Sequence, residues 1–270
     1  MKITYILMRV ACIQLSSNKS YKDSTSQAIK LIRKAIKKNC DLIITPEATT
    51  ILSANIKDYY KYSFSMKLDP FIKKIKKIAK ENKKWILIGS LFVKYNKKLR
   101  NRSVMISPEG KILSYYDKIN MFDANLDNKE IHKESQVFEP GKKLKTVQLP
   151  WGKLGLTICY DLRFPEHFRN LSKKKLNFIS VPSAFTKITG KKHWLALLRA
   201  RAIENFCYIF APNQFGRNTK KRETFGNTTI ISPDGKILKI KKEGIGIIYC
   251  SIDPEESMKL REAIPSMIRE

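Results

Sequence analysis

The chain has 270 residues, 43% of them hydrophobic, and carries 53 Lys and Arg against 24 Asp and Glu for a net charge of +29. No apolar run reaches the roughly 20 residues that cross a bilayer, and the start MKITYILMRVACIQ, its apolar run broken by Arg9, does not read as a signal peptide. The five cysteines (Cys12, Cys40, Cys159, Cys207, Cys250) form no CxxC and no Cys/His set at zinc spacing, which argues against a disulfide scaffold or structural metal and fits a reducing cytoplasm.

Such a basic chain raises the question of nucleic acid. The lysines, however, are scattered through nearly every segment, as in KLIRKAIKKN (30–39) and KKIKKIAKENKK (73–84), and form no single tract. No RNA-binding motif or aromatic-basic platform accompanies them. The expectation is therefore a composition effect, with no specific nucleic-acid partner and no membrane. A basic RNA-binding module is the alternative from a different functional class.

In chain order, Val10 to Leu15 reads as a strand and 23–39 as a helix. Asp23 or Ser24 is the expected cap, with Ala28, Ile29, Ile32, Ala35 and Ile36 on one face. Leu42 to Thr45 is a buried strand ending at Pro46 and Glu47. Asp69-Pro70 opens a second helix, and Trp85 to Ile88 is the next strand. RNRSVMISPEGKILSYYDK (100–118) is a hairpin turning on Pro108 and Gly110.

The second half repeats this order. Leu156 to Asp161 matches Val10 to Leu15, and FISVP (178–182) matches LIITP (42–46). The helix around Trp194, Leu197, Leu198 and Ile203 matches the one opened by Asp69. Cys207 to Phe210 matches Trp85 to Ile88, and ISPDGKIL (231–238) repeats ISPEGKIL (106–113). Two such halves packed sheet to sheet, helices outside, predict an α/β fold, a four-layer α-β-β-α sandwich built from an internal duplication. With no Gly/Ser-rich linker, residues 1–270 are read as a single domain. The tail from about 253 to 270 is expected to open a helix with Asp253 as cap and to lay its apolar residues on a partner subunit, giving a homodimer or larger homo-oligomer.

Four side chains stand at strand–loop junctions: Glu47 after LIITP, Lys118 after the first hairpin, Glu134 in IHKESQVFEPGKK, and Cys159, expected to end a central strand. Cys159 becomes a strong nucleophile if a base takes its proton. Glu47, its pKa raised by an apolar wall, is the expected base. Lys118 and the backbone N–H of Tyr160 would then hold the oxyanion on the attacked carbon. Taken singly, each has a plainer explanation: a core cysteine, a turn acid, a solvated lysine, a surface acid.

TPEAT (45–49), YDKINMFD (116–123), KESQVFEPG (133–141) and GLTICYDLRFPE (155–166) together resemble the motifs of the nitrilase, or carbon–nitrogen hydrolase, superfamily. The resemblance runs from about Met8 to Ile252. It implies the α-β-β-α fold, a catalytic triad of Glu47, Lys118 and Cys159, and a supporting role for Glu134. It implies no cofactor and no metal. VPSAFTKITGKKHWLALLRARAIENFCYIFAPNQFG (181–216) resembles the amidase branch acting on deaminated glutathione, with an omega-amidase acting on α-ketoglutaramate-type substrates as the alternative. Arg163, Ser183 and Phe185 are the expected substrate contacts. Asn227 stands where that branch carries histidine, which puts the substrate in question, and Met8 is an alternative start to Met1.

Overall fold

The computed structural model describes residues 7–126, 130–220 and 222–266. The first half runs β1 (Met8–Gln14), α1 (Tyr21–Lys37), β2 (Leu42–Ile44), α2 (Ile56–Lys61), α3 (Pro70–Asn82), β3 (Trp85–Tyr95), β4 (Lys98–Ile106) and β5 (Ile112–Asp117). A small ribbon follows, β6 (Asp123–Leu126) with β7 (Glu130–Lys133). The second half runs β8 (Lys145–Leu149), β9 (Gly152–Leu156), α4 (Pro165–Ser172), β10 (Phe178–Ser180), α5 (Lys187–Asn205) and β11 (Tyr208–Ala211). It continues through a second ribbon, β12 (Phe215–Arg217) with β13 (Glu223–Phe225), to β14 (Thr228–Ile231), β15 (Ile237–Lys241), β16 (Gly246–Ile252) and α6 (Glu256–Ala263).

Two mixed six-stranded sheets result, ordered β16-β1-β2-β3-β4-β5 and β15-β14-β11-β10-β9-β8. The duplication is visible strand by strand. β1, β2 and β3 are parallel neighbours, as are β9, β10 and β11, and each trio continues into an antiparallel hairpin. One extra antiparallel strand closes each copy, β16 on β1 and β8 on β9.

Alternation along a strand sends successive side chains to opposite faces. On β1, Val10 and Cys12 join the core shared with the second sheet, while Ala11 and Ile13 pack under α1 and α3. From α1 come Ala28, Leu31, Ile32 and Ala35, and from α3 come Phe71, Ile72, Ile75 and Ile78. On the far side Phe168 of α4 and Trp194 and Leu198 of α5 cover the second sheet. The layers are therefore helix, sheet, sheet, helix.

Local chemistry sets the ends. Asp69 Oδ1 accepts from Ile72 N–H at 2.9 Å, Pro70 opens α3, and Lys83 ends it in a left-handed conformation. For α1 the cap is Ser20, whose Oγ accepts from Asp23 N–H at 3.2 Å, so Asp23 lies inside the first turn and neither Asp23 nor Ser24 is the cap. One further expectation shifts. Leu154, not Leu156, is the structural equivalent of Val10, because Val10 pairs with Leu42 and Leu154 pairs with Phe178. The strand ends at Leu156 because the chain then tightens into a 3-10 turn, Cys159–Arg163.

The C-terminal helix docks on its own subunit. Ser257 Oγ donates to Asn177 O at 3.0 Å and Arg261 Nη2 to Asn205 O at 3.0 Å. It starts at Glu256, and Asp253 caps the preceding turn by accepting from Glu255 N–H. Met258 and Ile264 remain exposed, while Met267 and Ile268 lie outside the described residues.

Candidate active site

Glu47 and Cys159 both lie past the C-terminal ends of parallel strands, one in each copy, and packing the sheets face to face brings them together. Glu47 follows β2. Cys159 lies three residues beyond β9, which sits one place in from the sheet edge and is not central. Cys159 N–H donates to Pro182 O at 2.9 Å, which holds the loop to the chain after β10. Its φ is +48°, a left-handed conformation that costs a non-glycine residue energy and recurs at functional turns. The fold maintains that strain while pointing the thiol toward Glu47.

The thiol lies within hydrogen-bonding reach of the Glu47 carboxylate. Lys118 Nζ donates to Glu47 Oε1 at 3.0 Å and to Glu134 Oε2 at 2.7 Å. All are largely withdrawn from water: Lys118 is 2% exposed, Glu47 5% and Cys159 7%. Burial favours the neutral form of each group, but the pairing decides the charge states. At Glu47 burial raises the pKa, yet the charges of Lys118 and Arg222 and the hydrogen bonds from Cys159 and Lys118 outweigh it, so the carboxyl stays below its ordinary value. This corrects the expectation of a raised pKa, which counted the apolar wall and not the cations. Burial works against a charged Lys118, but Glu134 and Glu47 overcome it and raise its pKa. Burial and then the Glu47 charge push the Cys159 thiol well up. The resting site is a thiol beside a carboxylate beside an ammonium.

A cleft of about 520 Å³ opens onto this cluster. Its walls include Tyr59, Phe92, Phe122, Phe138 and Arg222, with Glu47, Lys118, Glu134 and Cys159 at the floor. This volume is of the size that takes an extended small molecule.

Residues 9–262 match the family described as carbon–nitrogen hydrolase. The chain belongs to the carbon–nitrogen hydrolase family. Deaminated glutathione amidase of Yersinia enterocolitica is 35% identical over 95% of this chain and 90% of its own length. The crystal structure of Saccharomyces cerevisiae Nit3, a member of branch 10 of the nitrilase superfamily, superposes with a TM-score of 0.85 at 28% identity, over 96% of this chain and 94% of that one. The Caenorhabditis elegans NitFhit protein superposes with a TM-score of 0.90 at 29% identity, this hydrolase spanning 98% of itself and 65% of the longer chain. The protein is thus an enzyme of non-peptide C–N bonds.

Several residues that build the hydrolase's site gave no sequence signal. Asn101 Nδ2 donates to Glu47 Oε1 at 2.9 Å and to Glu134 Oε1 at 3.1 Å, tying the two acids together. The backbone N–H of Ala184 donates to Glu47 Oε2 at 2.9 Å, and that of Phe122 to Glu134 Oε2 at 2.7 Å. Asp161, inside the quoted motif, accepts from Ile158 N–H, Tyr116 OH, Asn120 N–H and the Asn120 amide, and so pins the nucleophile turn to the lysine loop. Tyr160 is the second residue of the 3-10 turn, where no carbonyl of that turn is placed to accept its N–H.

The hydrolase's expected substrate contacts divide. Arg163 and Phe185 line a small recess beside Cys159, the guanidinium standing 5.0 Å from the Phe185 ring centre. Ser183 does not reach the cleft. It is fully buried, its Oγ donates to Val181 O at 3.1 Å, and it lines neither cavity, because the chain there still continues the β10 direction and turns its side chain inward. Asn227 also lies off the cleft walls. It takes a left-handed φ of +54°, which asparagine tolerates, and its carbonyl accepts from Trp194 Nε1 at 2.8 Å. The departure from histidine thus falls on a turn behind the cleft.

Proposed function

We propose that the protein is an amidase in which Cys159 attacks the amide carbon while Glu47 takes the thiol proton. Lys118 and the Tyr160 N–H hold the tetrahedral oxyanion. As the C–N bond breaks, Glu47 returns the proton to the departing nitrogen, leaving a thioester on Cys159. Glu47 then deprotonates a water that attacks the thioester, and the released sulfur regains its proton as the acid departs. Glu134 holds the lysine in place. These steps use the chain's own groups and a water, and call for no metal or organic cofactor.

The observation that carries this reading is the thiol within hydrogen-bond reach of a carboxylate that is itself kept ionised by Lys118. A high thiol pKa does not oppose it. The base takes the proton as the carbon–sulfur bond forms, so no free thiolate accumulates in a dry site.

We further propose deaminated glutathione as the substrate, acting in the cytoplasm. The relatives bearing that activity in their names support it, as does a cleft with room for an elongated amide. The test is hydrolysis of a panel holding deaminated glutathione, α-ketoglutaramate and short neutral amides, with Cys159→Ala as control. Preference for deaminated glutathione, abolished in Cys159→Ala, is the expected result. Preference for α-ketoglutaramate would move the protein to the omega-amidase reading, and full activity of Cys159→Ala would end the mechanism.

A further inference from the structure

A second cavity of about 360 Å³ adjoins the cleft. Arg222 and Thr219 line both and form the wall the two share. The remaining walls carry Lys187, Lys191, Arg217 and Lys220, against which stands a single carboxylate, Glu223, paired with Lys187 at 2.7 Å. Scattered lysines are the rule in this chain, and exposed ones need no ligand. Arg222 is different. Its Nη2 donates to Ala184 O at 2.7 Å, yet its buried Nε has no hydrogen-bond partner and no acid pairs with it among the described residues. An unpaired buried donor on a cation is costly to leave unsatisfied. Arg222 lines both cavities, so its guanidinium charge, unpaired with any acid among the described residues, bears on an anion placed in either.

Resting on the amidase reading above, we propose that this chamber is the subsite for a carboxylate at the far end of an elongated amide substrate. Arg222 stands at its entrance, and Lys191, Arg217 and Lys220 supply the field within it. The reacting amide sits over Cys159, and the substrate chain runs along the cleft past Arg222 to place its terminal carboxylate among these cations. Lys187 is neutralised by Glu223 and contributes least. A short amide ends before the chamber and gains nothing from it, so the subsite discriminates by length and terminal charge together. This is the pattern in which binding far from the reacting bond sets specificity.

The test uses the triple variant Lys191→Gln, Arg217→Gln, Lys220→Gln, which leaves Arg222 and the Lys187–Glu223 pair in place. Turnover is measured on deaminated glutathione, on its glycine-end monoethyl ester, which carries the same reacting amide and one charge fewer, and on propionamide. Each exposed cation is worth about two- to fivefold, so the triple variant should lose about ten- to a hundredfold in kcat/KM on the acid, mainly through KM. The ester and propionamide should change less than about twofold, and replacing the same three residues by Arg, Lys and Arg should restore the preference. High salt should erase the wild-type preference for the acid, since screening at 1 M acts within about 3 Å. Equal turnover of acid and ester by the wild type, with amides still hydrolysed, overturns the subsite and leaves the amidase standing. Failure of the wild type to hydrolyse any amide overturns both.

Discussion

Replacing Lys118 by Met tests how the buried charges hold one another. The substitution keeps the length of the side chain and removes the ammonium that donates to Glu47 at 3.0 Å and to Glu134 at 2.7 Å. Two carboxylates would then share Asn101 as their common donor in a pocket nearly closed to water. Breaking a buried pair by removing one partner costs about 3–5 kcal/mol, because the remaining charge is left uncompensated. For a chain of this size that is about 6–15 °C in Tm. The loss should depend on pH in a definite direction. In the wild type the Glu47 pKa is depressed, so its contribution to stability is present above the unfolded-state value and lost as pH falls through the folded one. In Lys118→Met the carboxyl pKa rises and the pair can take up a proton on acidification. The gap between the two proteins should therefore be widest near pH 8 and shrink toward pH 5. Adding Glu134→Gln to Lys118→Met removes one of the stranded charges and should recover part of the loss, giving a coupling energy well above the error of a double-mutant cycle. The assay is urea unfolding at both pH values. A cost below about 1 kcal/mol that does not vary with pH would refute the electrostatic reasoning.

Three further outcomes are expected. The acid limb of kcat/KM should lie below the ordinary glutamate value of about 4.3, since Glu47 must be ionised and its pKa is held down; a limb near pH 6 to 7 would show that burial wins over Lys118 and Arg222. Gly89→Ala should destabilise by about 1–3 kcal/mol and cut activity with it, because an added Cβ would lie 1.8 Å from Thr45 O and 2.7 Å from Pro46 O, the segment that delivers Glu47; thermal melts and turnover check this together. Light scattering at micromolar concentration should find a dimer or larger assembly, with the contact along α4 and α5, and a monomer would remove that expectation.

The parts of the fold that were readable from the sequence are those written twice. A strand, a helix, a strand ending in Pro, and an ISPxGKIL hairpin recur in each half, and their hydrophobic periods specify the faces without knowledge of the partner layer. The exact register was not readable. In sequence Leu156 to Asp161 matches Val10 to Leu15, but the apolar run at 154–158 continues past the strand into the turn, so apolar content does not mark where the ladder stops. The raised pKa expected for Glu47 failed for a related reason. A sequence shows that a glutamate follows a buried strand, but Arg222 lies 175 positions away in the chain and acts on it only through the fold.

The duplication also explains why chemistry and selectivity are encoded in different places. Glu47 follows β2 and Cys159 follows β9, strands that are not counterparts in the repeat, but both lie past the C-terminal ends of parallel strands, and packing the two sheets face to face sets the acid beside the thiol. Lys118 follows from the same plan, since it leaves the hairpin that ends the first copy. Other parts of the cleft come from segments outside the repeat. The ribbon β6–β7 leads into the 3-10 turn that carries Glu134, and the ribbon β12–β13 ends beside Arg222. These ribbons belong to neither large sheet, although the second is tied to its surroundings by a bridge between Thr224 and Thr186 and by Phe225 N–H donating to Phe185 O. Side-chain changes that keep their backbone in place therefore leave the ladders of the two large sheets intact. A substitution in the second ribbon should accordingly shift KM between substrates while leaving the acid limb of the pH profile in place, and one at the repeated strand ends should do the reverse.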